Sequence, residues 1–185
     1  MDEHDRDDDE LIRKISRKEG NAFRQLVERH EGFVYNTCRN LIGNDQQAEE
    51  TAQDVFLQVY RSAGSFRHRS KVSTWIYRIA VNRSLNVIRQ NKRSGWIKRL
   101  ATLELEDHDG AGPDKRLEKK ELSDLLKKAV DSLPEKQRTV FILNKYDGLA
   151  PRAIADILGV SANSVEVRLH RAKINLQKKL ASLLS

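Results

Sequence analysis

Ala150-Pro-Arg-Ala-Ile-Ala-Asp-Ile-Leu-Gly159, followed by Val160-Ser-Ala-Asn-Ser-Val-Glu-Val-Arg-Leu-His-Arg-Ala-Lys173, decides how this chain is read. Pro151 opens a short helix, because its missing N–H costs nothing in a first turn. Ile154, Ala155, Ile157 and Leu158 give that helix an apolar side, with the small Ala155 facing inward. Gly159 suits a left-handed C-cap. Ser161 or Asn163 then starts a last helix, which runs basic to the C-terminus. Short helix, tight turn and second helix have the spacing of a helix-turn-helix, whose second helix points its N-terminal residues into the major groove of DNA. The candidates on that helix are Ser161, Ser164, Glu166, Val167, Arg168, His170, Arg171 and Lys173. Arg reads guanine edges bidentately, and Glu accepts from a cytosine amine. A plain helical hairpin with a solvated basic face fits the same spacing, and the residues alone leave that alternative open.

Upstream, Ser132-Leu133-Pro134-Glu135 restarts a helix that carries Val140, Phe141 and Leu143 and breaks at Asp147-Gly148. Before it, Leu122, Leu125, Leu126, Ala129, Val130 and Leu133 form an apolar stripe. Residues 94–117 change character: Glu104 to Pro113 lack periodicity and hold Gly110, Gly112 and Pro113, which reads as an interdomain linker. Such a linker lets two modules sit tens of ångströms apart, so the free protein is expected to sample several arrangements.

A second basic region precedes the linker. Residues 61–100 hold eleven Lys/Arg and no Asp/Glu. Ser62 to Ser70 reads as a loop around Phe66, and Ser73 as the cap of a helix running to about Asn91. Arg78, Asn82, Arg89 and Arg93 recur at spacings of 4, 7 and 4. At roughly 100° per residue they share one narrow stripe. Ile76, Ala80 and Val87 lie opposite, and Arg83 falls among them without an explanation from pattern alone. Phe66, Trp75, Tyr77 and Trp96 are interleaved with the cations, as in sites that stack single-stranded bases. Trp75 reads as core before platform, and a solvated helix face is the plainer meaning of any charge run.

Between residues 45 and 60 the balance reverses. Asp45 is a plausible N-cap for a helix with Ala48, Ala52, Val55, Phe56 and Val59 inside and Glu49, Glu50 and Asp54 outside. The preceding helix keeps Phe23, Leu26, Val27, His30, Val34, Cys38, Leu41 and Ile42 at helical spacing and ends at Gly43-Asn44. Residues 2–10 carry seven acidic side chains against Arg6 and read as a disordered tail, since like charges repel and nothing there invites burial.

These elements make an all-α chain of two small helical domains joined by a flexible linker. The divisions are an acidic tail over 1–10, a first domain over 11–93, the linker, and a second domain over 118–185. The net charge of +7 points to a polyanion partner, with solubility as the bland alternative. Cys38 alone rules out an internal disulfide and reads as a small buried residue. No apolar run suits a signal segment or a membrane span, so a cytoplasmic protein is expected. The five histidines lack metal-ligand spacing, and there is neither a phosphate loop nor a nucleophile–base pair. Neither an enzyme nor a cofactor is expected.

Three stretches together resemble a known family. They are Gln47-Ala-Glu-Glu-Thr-Ala-Gln-Asp-Val-Phe-Leu-Gln-Val-Tyr60, Phe66 through Ser73-Thr-Trp-Ile-Tyr-Arg-Ile-Ala-Val-Asn82 to Arg89, and Leu133-Pro-Glu-Lys-Gln-Arg138 with Ile154-Ala-Asp-Ile-Leu-Gly159 and Ser164-Val-Glu-Val-Arg-Leu-His-Arg-Ala172. In that order the chain resembles a group IV, or extracytoplasmic-function, sigma factor of bacterial RNA polymerase. The resemblance implies that the 45–60 helix docks on core RNA polymerase through Glu50, Gln53, Asp54 and Gln58, with Phe56 mainly core. It implies that Phe66, Lys71, Arg78, Asn82 and Arg89 melt and hold the −10 element of promoter DNA. The 161–173 helix would read the duplex −35 element, and the linker would thread the RNA exit path of the polymerase. It further implies an anti-sigma factor, often membrane-anchored. The main alternative is a stand-alone helix-turn-helix regulator, which would need a dimer interface and a palindromic site. An adaptor whose basic faces bind an acidic protein is a further alternative.

The chain departs from the family in three places. Many relatives carry Gly-Thr-Val-Lys/Arg-Ser-Arg where this chain has Asn163-Ser-Val-Glu-Val-Arg168, so its −35 preference is expected to differ. Ala150 stands where a Ser cap is usual. The acidic tip is not a family feature. It is expected to compete with DNA for the basic surfaces, so that its removal raises DNA binding at low salt.

Overall fold

Hydrophobic spacing in this chain turns into eight helices in the computed structural model, which describes the backbone of residues 3–101 and 125–184 and the side chains of 6–93 and 125–182. The helices are α1 (Glu3–Ser16), α2 (Ala22–Ile42), α3 (Asp45–Ser62), α4 (Val72–Ala101), α5 (described over 125–131), α6 (Glu135–Lys145), α7 (Pro151–Leu158) and α8 (Ala162–Leu184). No strand occurs among the described residues. Nor is any described helix long and apolar enough to cross a membrane.

Helices α1 to α4 close round one core. Leu26, Val34 and Cys38 of α2 meet Val55 and Val59 of α3 and Ile76 and Ala80 of α4, all at 0% exposure. The tail expected over residues 2–10 is not a tail. Residues 3–10 form the first turns of α1, which buries Leu11, Ile12 and Ile15 in this core. Charge repulsion loses because the acids find partners. Asp8 is 6% exposed, with Oδ2 2.8 Å from His30 Nε2, and Arg29 donates to both Asp7 and Asp8.

Helix ends follow local chemistry, with some shifts from expectation. Gly43 ends α2 at φ 76°, its N–H donating to Arg39 O at 2.9 Å. Asn44, not Asp45, caps α3, accepting the Gln47 N–H at 2.9 Å. Helix α4 starts at Val72, ahead of Ser73, and runs on to Ala101 rather than stopping near Asn91. The first part of the expected linker is therefore helical, and residues 102–117 lie outside the described residues, as do the side chain of Trp96 and Leu122.

The second module packs α6 and α7 against α8, with Val140, Leu143, Ile154, Val165 and Ala172 fully buried. Leu126 departs from the expected stripe and stays 42% exposed. Gly159 ends α7 at φ 64°, as expected. Ala150 gives α7 no side-chain cap, and only Pro151 in the first turn favours its start. Ala150→Ser is expected to stabilise the chain by about 1 kcal/mol in urea unfolding, as a restored cap does. An unchanged midpoint would mean that Pro151 alone fixes this start.

The modules also pack on each other. Leu41, Val81 and Ile88 of the first share the apolar cluster of the second. Helix α4 thus has two buried sides: Ile76 and Ala80 face its own module, while Val81 and Ile88 face the other. The sequence grouped Val87 with Ile76 and Ala80, but Val87 is only half-buried, and Val81 and Ile88 are the residues that meet the second module.

Candidate nucleic-acid interface

Helix α8 carries the residues predicted to read DNA. Val165, Leu169, Ala172 and Leu176 turn inward at spacings of 4, 3 and 4, which leaves the other side to solvent. Glu166, Val167, His170, Arg171 and Lys173 are exposed, and Ser164 and Arg168 half-exposed. Ser161 serves as the cap, its Oγ accepting the Ser164 N–H at 3.2 Å.

On α3 every fourth or third residue points outward. Glu49, Glu50, Gln53, Asp54, Leu57 and Tyr60 are exposed, while Phe56 is only 8% exposed, so it is core as read. Leu57 and Tyr60, at 47% and 43%, add an apolar margin that the sequence reading missed. Only their exposure marks them, since each directly follows a buried residue, Phe56 or Val59, on the apolar side of α3. Arg83 finds its explanation here: its guanidinium donates to Gln58 Oε1 at 3.2 Å and lies 3.8 Å from Asp54. It thus steadies two of the four predicted polymerase-facing residues.

The predicted −10 residues line the loop after α3 and one side of α4. Phe66 is half-buried, its ring centroid 4.7 Å from Trp75 and 4.8 Å from His68. His68, at φ 50°, lies with Nδ1 2.9 Å from Asp9 Oδ1, so the acidic start of α1 reaches this loop. Lys71 and Asn82 are exposed. Arg78 and Arg89 are directed to the second module instead. Arg78 donates twice to Asp156 O, at 2.7 and 3.0 Å, in the last turn of α7. Arg89 makes a forked pair with Glu135, at 2.7 and 3.3 Å.

Two further ties cross the same boundary from α2. Thr37 Oγ1 and Asn40 Nδ2 donate to the two oxygens of Asp147, at 2.8 and 2.9 Å. Arg138 of α6 donates to Leu41 O at 2.7 Å, in the last turn of α2. Burial raises the Asp147 carboxyl above its ordinary value, against the two hydrogen bonds it accepts. The Arg89 hydrogen bond holds the Glu135 carboxyl below its own. Burial pushes the Cys38 thiol up to about 11, which fits an inert packing residue.

Residues 26–94 match the family described as sigma-70 region 2, and residues 123–176 that described as sigma-70 region 4. The chain is similar to the ECF RNA polymerase sigma factor SigW of Bacillus subtilis, 31% identical over 93% of this chain and 96% of the relative. It is 27% identical to the ECF RNA polymerase sigma-E factor of Escherichia coli K12, over 96% of both chains. Among solved structures it is similar to CnrH in complex with the cytosolic domain of CnrY. The TM-score is 0.67 at 22% identity, covering 95% of this chain and 98% of that one. It is also similar to the sigma factor RpoE of Bartonella quintana in complex with the anti-sigma factor NepR. There the TM-score is 0.63 at 23% identity, covering 88% and 98%.

Proposed function

We propose how this chain works from the premise that it belongs to the sigma-70 family, as an extracytoplasmic-function sigma factor of RNA polymerase. It is a promoter-specificity subunit: it binds core RNA polymerase and directs initiation at promoters with −35 and −10 elements. The chemistry of RNA synthesis belongs to the polymerase, and this chain works by differential binding. The observation that carries the division of labour is the opposite charge of two exposed faces on one chain. The α3 face is acidic and the α8 face basic.

On this reading Glu50, Gln53, Asp54 and Gln58 dock on the polymerase. An acidic helix with an apolar margin at Leu57 and Tyr60 suits a protein surface and repels DNA. The α8 face reads the −35 element in the major groove, through Ser164, Glu166, Val167, Arg168, His170, Arg171 and Lys173, with Ser161 setting the helix start. Phe66, Lys71, Arg78, Asn82 and Arg89 take the melted −10 strand. The complexes of the solved relatives support a further partner, an anti-sigma factor. The stand-alone regulator is the weaker reading, because it leaves the acidic α3 face without a use.

Arg171→Ala is expected to weaken −35 recognition by about 1–3 kcal/mol, measured as promoter against random duplex. Equal losses on both would make Arg171 a phosphate contact. The reading as a whole is tested by run-off transcription from a fragmented genomic library with cognate core polymerase, with and without the protein. New transcripts sharing two spaced upstream elements support it and give the consensus that Glu166 and Val167 select. No transcripts, together with specific duplex binding by the protein alone, would favour the stand-alone regulator.

A further inference from the structure

We propose that Asp9 and His68 are positioning residues for the −10 strand: through them the start of α1 ties down the 64–71 loop, and the tie holds Phe66 where a single-stranded base is to stack. The inference rests on the reading of Phe66 as a −10 contact.

The loop is held firmly only at its ends. Ala63 and Val72 are buried in the first core, at 3% and 2% exposure. Between them every residue is exposed or half-exposed. The Phe66 N–H donates to Ala63 O at 3.2 Å, and Ser65 Oγ to Ser62 O at 2.8 Å. Past Phe66 this support stops: among the described residues, no backbone–backbone hydrogen bond involves Arg67, His68 or Arg69. His68 nonetheless keeps φ at 50°, a left-handed conformation that is unfavourable for a residue with a Cβ. Such a conformation persists only where its surroundings over-determine it.

Asp9 is the surrounding group that does so. A carboxylate only accepts, so the His68 Nδ1–H donates to Asp9 Oδ1, at 2.9 Å. Asp9 is itself fixed from both sides along α1. Asp8 before it is buried against His30 of α2, and Leu11 and Ile12 after it lie in the core. The contact therefore couples the loop to the core. His68 in turn meets the Phe66 ring edge-on, with centroids 4.8 Å apart and planes at 64°. Trp75, near the start of α4, meets the same ring at 4.7 Å. Phe66 is thus held from α4 directly and from α1 through His68. A ring already held in place loses little freedom when a base stacks on it, so more of the stacking energy shows as binding.

The test uses the full-length chain with cognate core polymerase, on a promoter recovered by run-off transcription. Permanganate footprinting reads opening, and gel retention on ice reads the closed complex. In the free chain, Trp96→Phe leaves Trp75 as the one tryptophan, and acrylamide quenching of its emission reads how well the Phe66 loop covers it. Asp9→Ala and His68→Ala are each expected to cut the open-complex yield about three- to tenfold, the range that loss of one hydrogen bond covers. Closed complexes should be unchanged, Trp75 should quench more readily, and circular dichroism should show an intact fold. The double variant should lose no more than either single one, because both remove the same contact. His68→Asn should restore opening, since Asn tolerates a positive φ and keeps a donor for Asp9. His68→Gly relieves the backbone but lacks the donor, and should not restore it. If His68→Gly opens promoters as well as the native chain, or if the two single losses multiply in the double variant, the positioning role is overturned. It is overturned equally if Asp9→Ala and His68→Ala leave opening intact while Phe66→Ala reduces it, and the −10 reading then stands. If Phe66→Ala leaves opening intact, the −10 role of Phe66 fails, and the inference with it.

Discussion

Asn82→Ala is expected to cut the equilibrium yield of open promoter complexes by about ten- to a hundredfold, with closed-complex formation nearly unchanged. The size follows from the work the side chain is proposed to do. Taking a base out of the stack costs a few kcal/mol, which contacts to the extruded base must offset. An Asn pairing with a base edge is worth about 1–3 kcal/mol, roughly one to two decades in an equilibrium. Asn82 is suited to this by position: it is exposed on α4, one turn beyond Arg78 and on the same stripe as Arg89. Because the contact exists only with the melted strand, duplex binding should not register its loss. Permanganate footprinting of the −10 thymines reads opening, and gel retention on ice reads the closed complex. An unchanged footprint would exclude Asn82 from the base pocket. An equal loss in both assays would make it a general contact instead.

How much of this was legible in the sequence varies with the reach of the interaction. Local signals carried well. Gly43 and Gly159 end their helices in the left-handed conformation, as their chemistry requires. The buried sides of α2, α3 and α8 follow helical spacing. Caps slipped by a residue, as between Asp45 and Asn44, because adjacent Asx residues compete for one role. What did not carry were contacts between distant segments. Arg83 looked like a fault in α4 until Gln58 and Asp54 of α3 came within its reach. Val81 and Ile88 belong to a face that exists only because a second module covers it. Asp147 read as a turn residue, yet it accepts from two side chains of α2 more than a hundred positions earlier. The site residues divide in the same way. The exposed residues of α3 and α8 follow from periodicity, whereas the engagement of Arg78 and Arg89 with the second module has no local signature.

The acidic start of the chain is the sharpest case, and its removal is expected to have the largest effect on stability. A chain lacking residues 2–16 loses Leu11, Ile12 and Ile15 from the first core, at 6%, 1% and 4% exposure. At about 1.5–3 kcal/mol for each buried side chain, the loss is roughly 4–9 kcal/mol. That rivals the whole stability of a small domain, about 5–15 kcal/mol. The truncated first module should therefore unfold or aggregate at working temperature, and circular dichroism with urea titration would show it. Removing residues 2–7 alone should change little, because the Asp7–Arg29 pair is exposed and such pairs contribute about 0–1 kcal/mol. Asp8→Ala separates the two cases. It leaves His30, 8% exposed, without its carboxylate partner, and a buried group so stranded costs about 1–3 kcal/mol. A passive tail would show none of this gradation, and all three chains would melt together. The same series bears on competition with DNA. Asp9 reaches His68 beside Phe66, so cutting to residue 10 removes a contact at the −10 loop as well as charge. Any gain in DNA binding must therefore be measured in Asp7→Asn, a single exposed change, rather than in a truncation that also loosens the core.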